Sequence, residues 1–360
     1  MESHSITRCR VLLISNHREV KEHQRSAGIF VERQVASLTN AGIDVNVFDI
    51  GASHSPVRVF KKWIQLRREV RTFNPHLLHG RYGALTGFIS VFAGRPAVVT
   101  FCGSDLNRGA STSGLRMRLG FVLSNLAALR ARRIICVSQQ LREVLWWRRG
   151  KAVVIPDGVD TDLFCPGSQN EARKELGWNT ERPVVLFNIG NDARKKGFDL
   201  AKDAMAVVRL AVPGAQLQVV QEVDPSRMPT YYRAADALLC TSLNEGSPNV
   251  VKEALACNLP VVSVPVGDVS ERLAAVRPSA VVPRDPNAIA KALAEILLTR
   301  ERSNGREHVI HLGLNEIAER VIAVYRSVWE VAALKSAKAN TSGELRKAVL
   351  ESRRYPYDRR

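Results

Sequence analysis

The chain has 360 residues, 45% hydrophobic and 24% charged, a composition typical of a soluble globular protein with room for two domains. The absence of any run of about 18 apolar residues argues against a transmembrane helix. The six cysteines form no CxxC pair, which argues against a structural zinc site and is typical of a reducing cytoplasm.

The net charge of +17 is unevenly distributed. Residues 1–165 contain 24 Lys and Arg against 12 Asp and Glu, residues 166–334 contain 20 of each, and the tail 335–360 contains 8 against 3. Two interpretations stay open at this point: general solubility, or an anionic surface or substrate that meets the first half of the chain.

In the first half, short β-branched runs alternate with amphipathic stretches. Strands are predicted at Arg10–Ser15, Asp44–Ile50, Leu77–His79, Ala97–Phe101, Arg133–Val137 and Lys151–Ile155. Helices are predicted at Gly28–Ala41, Val57–Phe73, Leu115–Arg130 and Gln139–Arg149. This alternation predicts a parallel, doubly wound sheet.

The second half repeats the pattern. Strands are predicted at Pro183–Ile189, Gln216–Gln221, Asp236–Thr241 and Pro260–Val264, and helices at Gly197–Ala211, Pro229–Ala235, Asn249–Cys257, Asn287–Leu298 and Glu316–Ala333. The sequence therefore predicts two Rossmann-like α/β domains, residues 1–165 and 166–334, facing each other across a cleft, with a basic helix or tail at 335–360.

Two carboxylates frame a predicted helix start in the second half. Glu245 lies in a Gly-Ser-Pro-Asn turn, and Glu253 lies eight positions later in the following helix. Free backbone N–H groups at a helix start attract phosphates. A ligand with a central diphosphate and hydroxyl-rich ends, such as a nucleotide sugar, fits this arrangement.

Asn244–Glu271 (NEGSPNVVKEALACNLPVVSVPVGDVSE) closely resembles the motif of the retaining GT-B glycosyltransferases of family 4. The resemblance covers about residues 10–330. It includes further elements in the family's order: TFCGSDL at 100–106, CVSQQL at 136–141, VIPDGVD at 154–160, GNDARKKGFDL at 190–200 and YRAADALLCTS at 232–242.

The resemblance implies a donor site in the second domain. It implies that Glu253 binds the ribose hydroxyls and that Glu245 lies at the donor sugar, where its charge supports an oxocarbenium-like transition state. The backbone amides of Asn249 and Val250 would meet the phosphates. The alternatives for the two carboxylates are a favourable position at the helix dipole for Glu245 and a solvated helix position for Glu253.

A second phosphate contact is expected from residues 190–197. The family usually has G-R-L-x-x-x-K-G, in which Lys196 matches the lysine and Asn191 replaces the arginine. Arg194 is predicted to supply the missing charge, unless it belongs only to a solvated loop. Gly28 opens the first helix, as in the family's glycine-bearing loop, and its bare backbone would approach the diphosphate, unless it is an ordinary turn glycine.

The acceptor side is expected in the first domain. His79 and Arg81 follow a predicted strand and would face the cleft. The family often has T-x-H-G where this chain has Cys102, and a thiol does not reproduce the hydrogen bonding of a neutral imidazole. Asp105 is expected either to orient the acceptor hydroxyl as a catalytic residue or to hold its loop. The alternative is that it caps a helix.

The resulting expectation is a metal-independent retaining glycosyltransferase that moves a hexosyl unit from a UDP- or GDP-linked sugar, used as co-substrate with no other cofactor, to a glycan, lipid-linked or other hydroxyl acceptor. Val57–Phe73, Gly114–Arg133 and Trp146–Arg149 mix apolar and basic residues. Such segments indicate association with an anionic membrane, on the inner face of the cytoplasmic membrane, or helices packed on a sheet.

Other functions remain open. A sugar phosphorylase shares the fold and the pair of glutamates, and a catalytically degenerate member is compatible with Cys102 and Asn191. A dinucleotide-binding oxidoreductase is disfavoured because no G-x-G-x-x-G follows Arg10–Ser15. No nucleic-acid-binding module is recognisable.

Overall fold

The computed structural model describes residues 9–16, 28–51, 55–103, 105–106 and 114–330. The basic tail expected at 335–360 lies outside these residues. In the first half the strands are β1 (Arg10–Ser15), β2 (Asp44–Asp49), β3 (Leu77–Arg81), β4 (Ala97–Phe101), β5 (Arg133–Cys136) and β6 (Ala152–Val154). The helices are α1 (Ile29–Asn40), α2 (Pro56–Phe73), α3 (Phe88–Ser90), α4 (Gly114–Arg130) and α5 (Gln139–Val144), with a π-helical turn at Gly83–Gly87 before α3.

In the second half the strands are β7 (Val184–Asn188), β8 (Gln216–Val220), β9 (Ala237–Cys240), β10 (Val261–Ser263) and β11 (Ala280–Val281). The helices are α6 (Gln169–Leu176), α7 (Ala193–Lys196), α8 (Phe198–Ala211), α9 (Met228–Ala234), α10 (Asn249–Ala256), α11 (Val269–Leu273) and α12 (Pro286–Thr299). A last helix, α13, runs from residue 314 to residue 330, where the described part of the chain ends.

Both sheets are parallel and doubly wound. The first has the order β2-β1-β3-β4-β5-β6 and the second the order β11-β10-β9-β7-β8. In each, the second strand of the domain lies on one side of the first strand and the third lies on the other. The predicted fold class is therefore confirmed.

Helices cover both faces of the first sheet. Because alternate residues of a strand point to opposite faces, neighbouring residues of one strand belong to different hydrophobic clusters. Leu12 of β1 packs in a cluster with Leu66 of α2 and Phe121 of α4. Its neighbour Val11 belongs to a second cluster, which contains Tyr325 of α13 and continues into the core of the second domain.

Helix α13 packs on the first sheet, although its residues fall in the range expected for the second domain. The Tyr325 hydroxyl lies 2.6 Å from Nδ1 of His79 in β3, and Arg133 of β5 donates to the Ser327 hydroxyl at 3.0 Å. The chain therefore crosses between the domains twice. The two crossings lie side by side, since Val159 and Gly313 form a parallel bridge and Val159 N donates to Leu312 O at 2.9 Å.

Helix α5 is shorter than the predicted Gln139–Arg149. It ends at Val144, the Trp146 N–H donates to Asn125 Oδ1 at 2.8 Å, and Arg148 adopts a left-handed conformation with φ 61°. From there the Arg148 guanidinium donates to Ala128 O and Leu129 O at the end of α4. These hydrogen bonds satisfy free carbonyls at the end of α4. No described helix is both long enough and apolar enough to cross a bilayer.

Candidate active site

Two loops meet at the carboxyl end of the second sheet. One follows β7 and leads to α7, and the other follows β9 and leads to α10. Because β8 and β9 lie on opposite sides of β7, these loops flank a crevice of the kind in which doubly wound sheets bind ligands.

The two loops are tied together by hydrogen bonds. The Thr241 hydroxyl donates to the carbonyl oxygens of Lys196 and Gly197, each at 2.9 Å, and Leu243 N donates to Lys195 O at 2.8 Å. Gly197 has a φ of 69°, and a Cβ there would lie 2.1 Å from Thr241 O. Only glycine allows this approach, which fixes the position of Lys196 at the crevice.

An ion pair spans the two loops. Lys196 Nζ lies 2.6 Å from Glu245 Oε1, with both side chains between one fifth and one third exposed. Burial lowers the pKa of Lys196, but the Glu245 carboxylate more than compensates, so that the pKa is raised. Lys196 is therefore a permanent positive charge at neutral pH, held beside a carboxylate at the crevice.

Helix α10 begins at the same edge. Pro248 is its N-cap and no side chain caps the free N–H groups of its first turn. Within that turn, Asn249 Oδ1 is buried without a hydrogen-bond partner among the described residues, and Val250 lines a cavity. A helix start of this kind is suited to an anion.

The side chain of Glu253 is buried in the same cavity, one turn further along α10. Its Oε1 accepts a hydrogen bond from Arg33 Nη1 of the first domain at 3.1 Å, and its Oε2 accepts one from the Tyr232 hydroxyl at 3.0 Å. Burial raises the pKa of Glu253, and the charge of Arg33 opposes the shift. Glu253 is thus a positioned acceptor, and its position is not the solvated one that the alternative interpretation required.

The cavity has a volume of about 100 Å³ and lies between the domains. The second domain contributes Gly190, Val250 and Glu253, and α1 contributes Ile29, Phe30 and Arg33. Gly28 is buried and is the N-cap of α1, next to these lining residues. The structure therefore brings Gly28, Val250 and Glu253 to one place.

The two domains touch at glycines. A Cβ on Gly246 would lie 2.1 Å from Cys102 O, and one on Gly103, whose φ is 137°, would lie 2.8 Å from Gly246 N. Gly267 approaches the other side, since a Cβ there would lie 2.6 Å from Gly246 O. The loop after β4 therefore reaches Glu245 and Gly246 directly, backbone to backbone.

A buried charge network lies beside this contact. Arg81 Nη2 is 2.8 Å from Asp157 Oδ1, and Arg81 Nη1 donates to Gln34 at 2.6 Å. Lys252 of α10 donates to Asp157 O at 2.6 Å. Burial raises the pKa of Asp157, but the charges of Arg81 and Lys252 outweigh it and the pKa is lowered. Arg81 thus ties the first domain to the crossing segment and has little surface in the cleft.

His79 does not face the cleft, and that expectation is wrong. Its side chain is fully buried, with Nδ1 at 2.6 Å from the Tyr325 hydroxyl and Nε2 at 2.7 Å from the Thr100 hydroxyl. Burial and the Arg81 charge lower the pKa of His79 to about 3. A neutral histidine with both nitrogens occupied holds α13 on the sheet and does not meet an acceptor.

Asp105 also differs from its predicted catalytic role. Its Oδ2 accepts from Gly83 N at 2.7 Å and Cys102 N at 3.2 Å, and its Oδ1 accepts from Gly103 N at 2.8 Å. Burial raises its pKa and the backbone N–H groups oppose the shift. With both oxygens occupied inside the loop, Asp105 holds the loop after β4 against the π-helical turn, which was the other role expected for it.

The remaining predicted residues are placed as follows. Cys102 is half-buried, with Sγ 3.7 Å from Arg81 Nη2, and burial raises the pKa of its thiol to about 12. Arg194 and Asn191 are exposed, and no hydrogen bond or ion pair joins Arg194 to another described side chain. The structure therefore gives Lys196 a partner in the site and gives Arg194 none among the described residues.

Sequence reasoning missed four residues of the site: Arg33, Tyr232, Asp157 and Lys252. Asp157, Tyr232 and Lys252 lie inside motifs that carried the family resemblance, so their positions were signalled but their contacts were not. Arg33 had no signal beyond its place on α1. Among the described residues, no group of three His, Cys, Asp or Glu side chains is arranged to hold a metal ion. Metal independence stays a prediction.

Two family models match the chain. Residues 8–163 match the model described as Glycosyltransferase Family 4, and residues 181–299 match the one described as Glycosyl transferases group 1. Together they cover both doubly wound domains and the motifs at 245–253.

Individual relatives agree with the models. A D-inositol 3-phosphate glycosyltransferase from Segniliparus rotundus is 32% identical over 226 residues, 52% of this chain and 50% of that protein. The chain thus spans about half the length of this relative. A putative teichuronic acid biosynthesis glycosyltransferase, TuaC of Bacillus subtilis, is 26% identical over 330 residues, 74% of this chain and 84% of that protein.

Solved structures share the fold. Sucrose-phosphate synthase from Thermosynechococcus elongatus has a TM-score of 0.75 at 22% identity, covering 90% of this chain and 100% of that one. HepE from Anabaena, in complex with UDP and glucose, has a TM-score of 0.67 at 16% identity, covering 89% of this chain and 100% of that one. The chain therefore belongs to the family 4 and group 1 glycosyltransferases and has their GT-B fold.

Proposed function

We propose that this protein transfers a hexosyl unit from a UDP- or GDP-linked sugar to a hydroxyl acceptor, with retention of the anomeric configuration. The observation that carries the proposal is the position of Glu253, a buried carboxylate in an interdomain cavity beside an uncapped helix start. A carboxylate with two oxygens accepts from two vicinal ribose hydroxyls. HepE, a relative by fold, binds UDP and glucose.

Each part of a nucleotide sugar has a partner in this arrangement. The ribose meets Glu253, whose present partner Arg33 must move aside or turn to the phosphates. The diphosphate meets the N–H groups of Asn249 and Val250, the backbone near Gly28 and the Lys196 ammonium. The sugar then lies at Glu245.

Catalysis would rest on positioning and electrostatics. Lys196 neutralises the departing diphosphate without a divalent cation, and Glu245 stabilises positive charge at the anomeric carbon. A phosphate oxygen of the donor takes the acceptor proton. Contact between the loop at Gly103 and the loop at Gly246 closes the site and limits donor hydrolysis.

We place the acceptor on the first domain and propose a glycan or a lipid-linked molecule. The excess of basic residues in 1–165 supports an anionic acceptor or a membrane-borne one. All six cysteines are unpaired, which supports work in the reducing cytoplasm, at the inner face of its membrane.

The test is nucleotide binding by calorimetry with UDP, GDP and their sugars, in wild type, Glu253→Gln and the control Glu271→Gln, an exposed acid of α11. We expect Glu253→Gln to weaken binding about 10- to 100-fold, because it removes hydrogen bonds to a charged group. The control should bind normally. Unchanged affinity of Glu253→Gln would overturn the ribose assignment.

Turnover separates the remaining functions. Release of nucleoside diphosphate, with an α-anomer formed from an α-linked donor, supports a retaining transferase. Consumption of inorganic phosphate identifies a phosphorylase, and binding without turnover across all donors and acceptors identifies a non-catalytic member.

A further inference from the structure

Helix α4 is apolar on its outer side as well as its inner side. Phe121 and Ala128 are buried against the sheet. The opposite side exposes apolar residues spaced by three, four and three positions, which places them on one face: Leu119, Val122, Leu126 and Leu129. Leu119 and Leu129 are 58% and 51% exposed, so this face has no partner among the described residues.

Exposed aromatic residues continue this face on both sides. Trp146 packs edge-on against Phe121 with ring centroids 5.1 Å apart, and Trp147 packs against Trp146 at 5.6 Å. On the other side Phe92 lies 5.0 Å from the guanidinium of Arg130. We call this surface the α4 face; it consists of Phe92, Leu119, Val122, Leu126, Leu129, Trp146 and Trp147.

A basic cavity adjoins the α4 face. It has a volume of about 640 Å³, is lined by Leu129 of that face, and contains no acidic lining residue among those described. Its cations are Arg95, Arg130, Arg132, Arg148 and Lys151, and none of them forms an ion pair with a described residue. We call it the basic basin.

The charges in the basin repel each other. Burial and the nearby charges of Arg133 and Arg132 lower the pKa of Arg148. The sequence offers no local compensation, because no acidic residue occurs between Asp105 and Glu143. An external anion would relieve this repulsion.

The α4 face and the basic basin together favour one of three kinds of partner. A soluble polyanion would satisfy the basin but would leave the apolar face in water. Two copies joined symmetrically through this surface would bring two sets of five cations together, which opposes association. An anionic bilayer supplies phosphates for the cations and an apolar boundary for the leucines and aromatic rings.

Helix α2, the other helix whose sequence indicated membrane association, exposes fewer apolar side chains. Leu66 and Val70 of α2 are buried against the sheet, so most of its apolar side belongs to the core. Only Val57 and Phe60, in its first turn, are strongly exposed apolar residues of this helix. Packing on the sheet therefore accounts for most of the apolar residues of α2 but for only the inner side of α4.

We propose that the α4 face and the basic basin dock the first domain on an anionic lipid bilayer. The apolar side chains enter the boundary between headgroups and acyl chains, and the basin cations bind headgroup phosphates. Because α4 connects the carboxyl end of β4 to the start of β5, its first turn lies at the sheet edge that faces the active site. The basic basin lies at the other end of α4, beside the starts of β4, β5 and β6, so docking lays α4 along the membrane surface with its first turn toward the cleft. This proposal goes beyond glycosyl transfer and does not depend on the donor.

The experiment is co-sedimentation of the full chain with vesicles of phosphatidylcholine alone or mixed with phosphatidylglycerol, at low and high salt. Wild type should bind only the mixed vesicles, and salt should weaken binding. Arg130→Ser with Arg132→Ser should lower the partition coefficient about 25-fold, at about fivefold per cation. Leu126→Ser with Leu129→Ser should lower it at least about tenfold.

Matched controls lie on the second domain. Leu210→Ser with Leu298→Ser removes two leucines that are more exposed than Leu126 and Leu129, and Lys174→Ser with Lys291→Ser removes two exposed cations. Both should bind like wild type, and all variants should keep the wild-type circular dichroism spectrum and nucleotide affinity. Controls that lose binding as strongly as the α4 variants would overturn the proposal. So would wild-type binding to phosphatidylcholine alone, or a lipid-free dimer that Leu126→Ser with Leu129→Ser converts to monomer.

Discussion

The two domains place their charged residues differently. In the second domain, several charged side chains lie inside and are matched. Arg173 is fully buried, with Nη2 2.7 Å from Asp236 Oδ2 and Nε donating to Ala234 O. Arg302 donates to the carbonyl oxygens of Ala235, Tyr232 and Cys257.

In the first domain most cations lie outside. The two that form ion pairs with described residues, Arg33 and Arg81, pair with Glu253 and Asp157, beyond the first sheet. The buried His79 is neutral. A domain with balanced charge thus uses arginine as an internal connector, whereas a domain with excess positive charge presents it to other molecules. The net charge of a domain by itself does not show whether its arginines are buried and paired or exposed.

The largest expected effect is on stability, from replacing a buried arginine of the second domain. Arg173→Met leaves the Asp236 carboxylate buried without its cation, which should cost about 3–5 kcal/mol of unfolding free energy. Arg132→Met, in the basic basin, should change it by no more than about 0.5 kcal/mol. Urea denaturation measures both. Similar losses in the two variants would remove the distinction between the domains.

The next effect concerns the place where the domains touch. Gly246→Ala puts a methyl group against Cys102 O and holds the loops apart, so kcat/KM should fall about 100-fold. Gly120→Ala on α4 is the control, because the nearest atom to its new Cβ is 3.9 Å away. Steady-state kinetics of the two variants measures the difference in kcat/KM. Full activity of Gly246→Ala would show that the observed contact is not part of the catalytic state.

The neutral interior of the first domain makes stability depend on pH. His79 has a pKa of about 3 when folded and about 6.5 when unfolded, so the unfolded chain binds more protons between these values. Its contribution is fully present above pH 6.5 and falls by about 1.4 kcal/mol per pH unit below it. The unfolding free energy of wild type should therefore drop more steeply than that of His79→Gln. Parallel curves would contradict the buried, neutral state.

The smallest effect concerns the cation that reaches from one domain into the other. Arg33 favours the ionised form of Glu253, so Arg33→Met should raise the Glu253 pKa further. In the proposed donor complex the ionised carboxylate accepts the ribose hydroxyls, so the pH below which nucleotide affinity is lost should rise with this pKa. Calorimetry across pH measures the shift, and an unchanged profile would mean that Arg33 does not act on Glu253.

The fold was largely predictable because each strand is a short apolar run and each helix has its own periodicity. The site was predictable where a residue and its neighbours in sequence define the geometry. Glu253 is set by the helix that starts at Asn249, and Lys196 by the tight turn at Gly197.

Residues whose partners are distant in sequence were not predictable. His79 lies one residue before a glycine at a strand end, as a cleft residue would, but Tyr325 covers it from 246 positions away. Asp105 has a carboxylate that could serve catalysis, but three backbone N–H groups occupy it. Sequence indicates which chemistry a side chain can perform, whereas tertiary contacts decide whether it is free to perform it.

The two crossings at Val159 and Gly313 also define which segment of the chain a chimaera can take from a relative. The second domain is inserted into the first, because the chain leaves the first sheet after β6 and returns to it in α13. A chimaera that swaps donor specificity should therefore take residues up to about the second crossing and keep residues 314–330 with the first domain. Recombination at residue 334 would separate Tyr325 from the His79 side chain that it contacts.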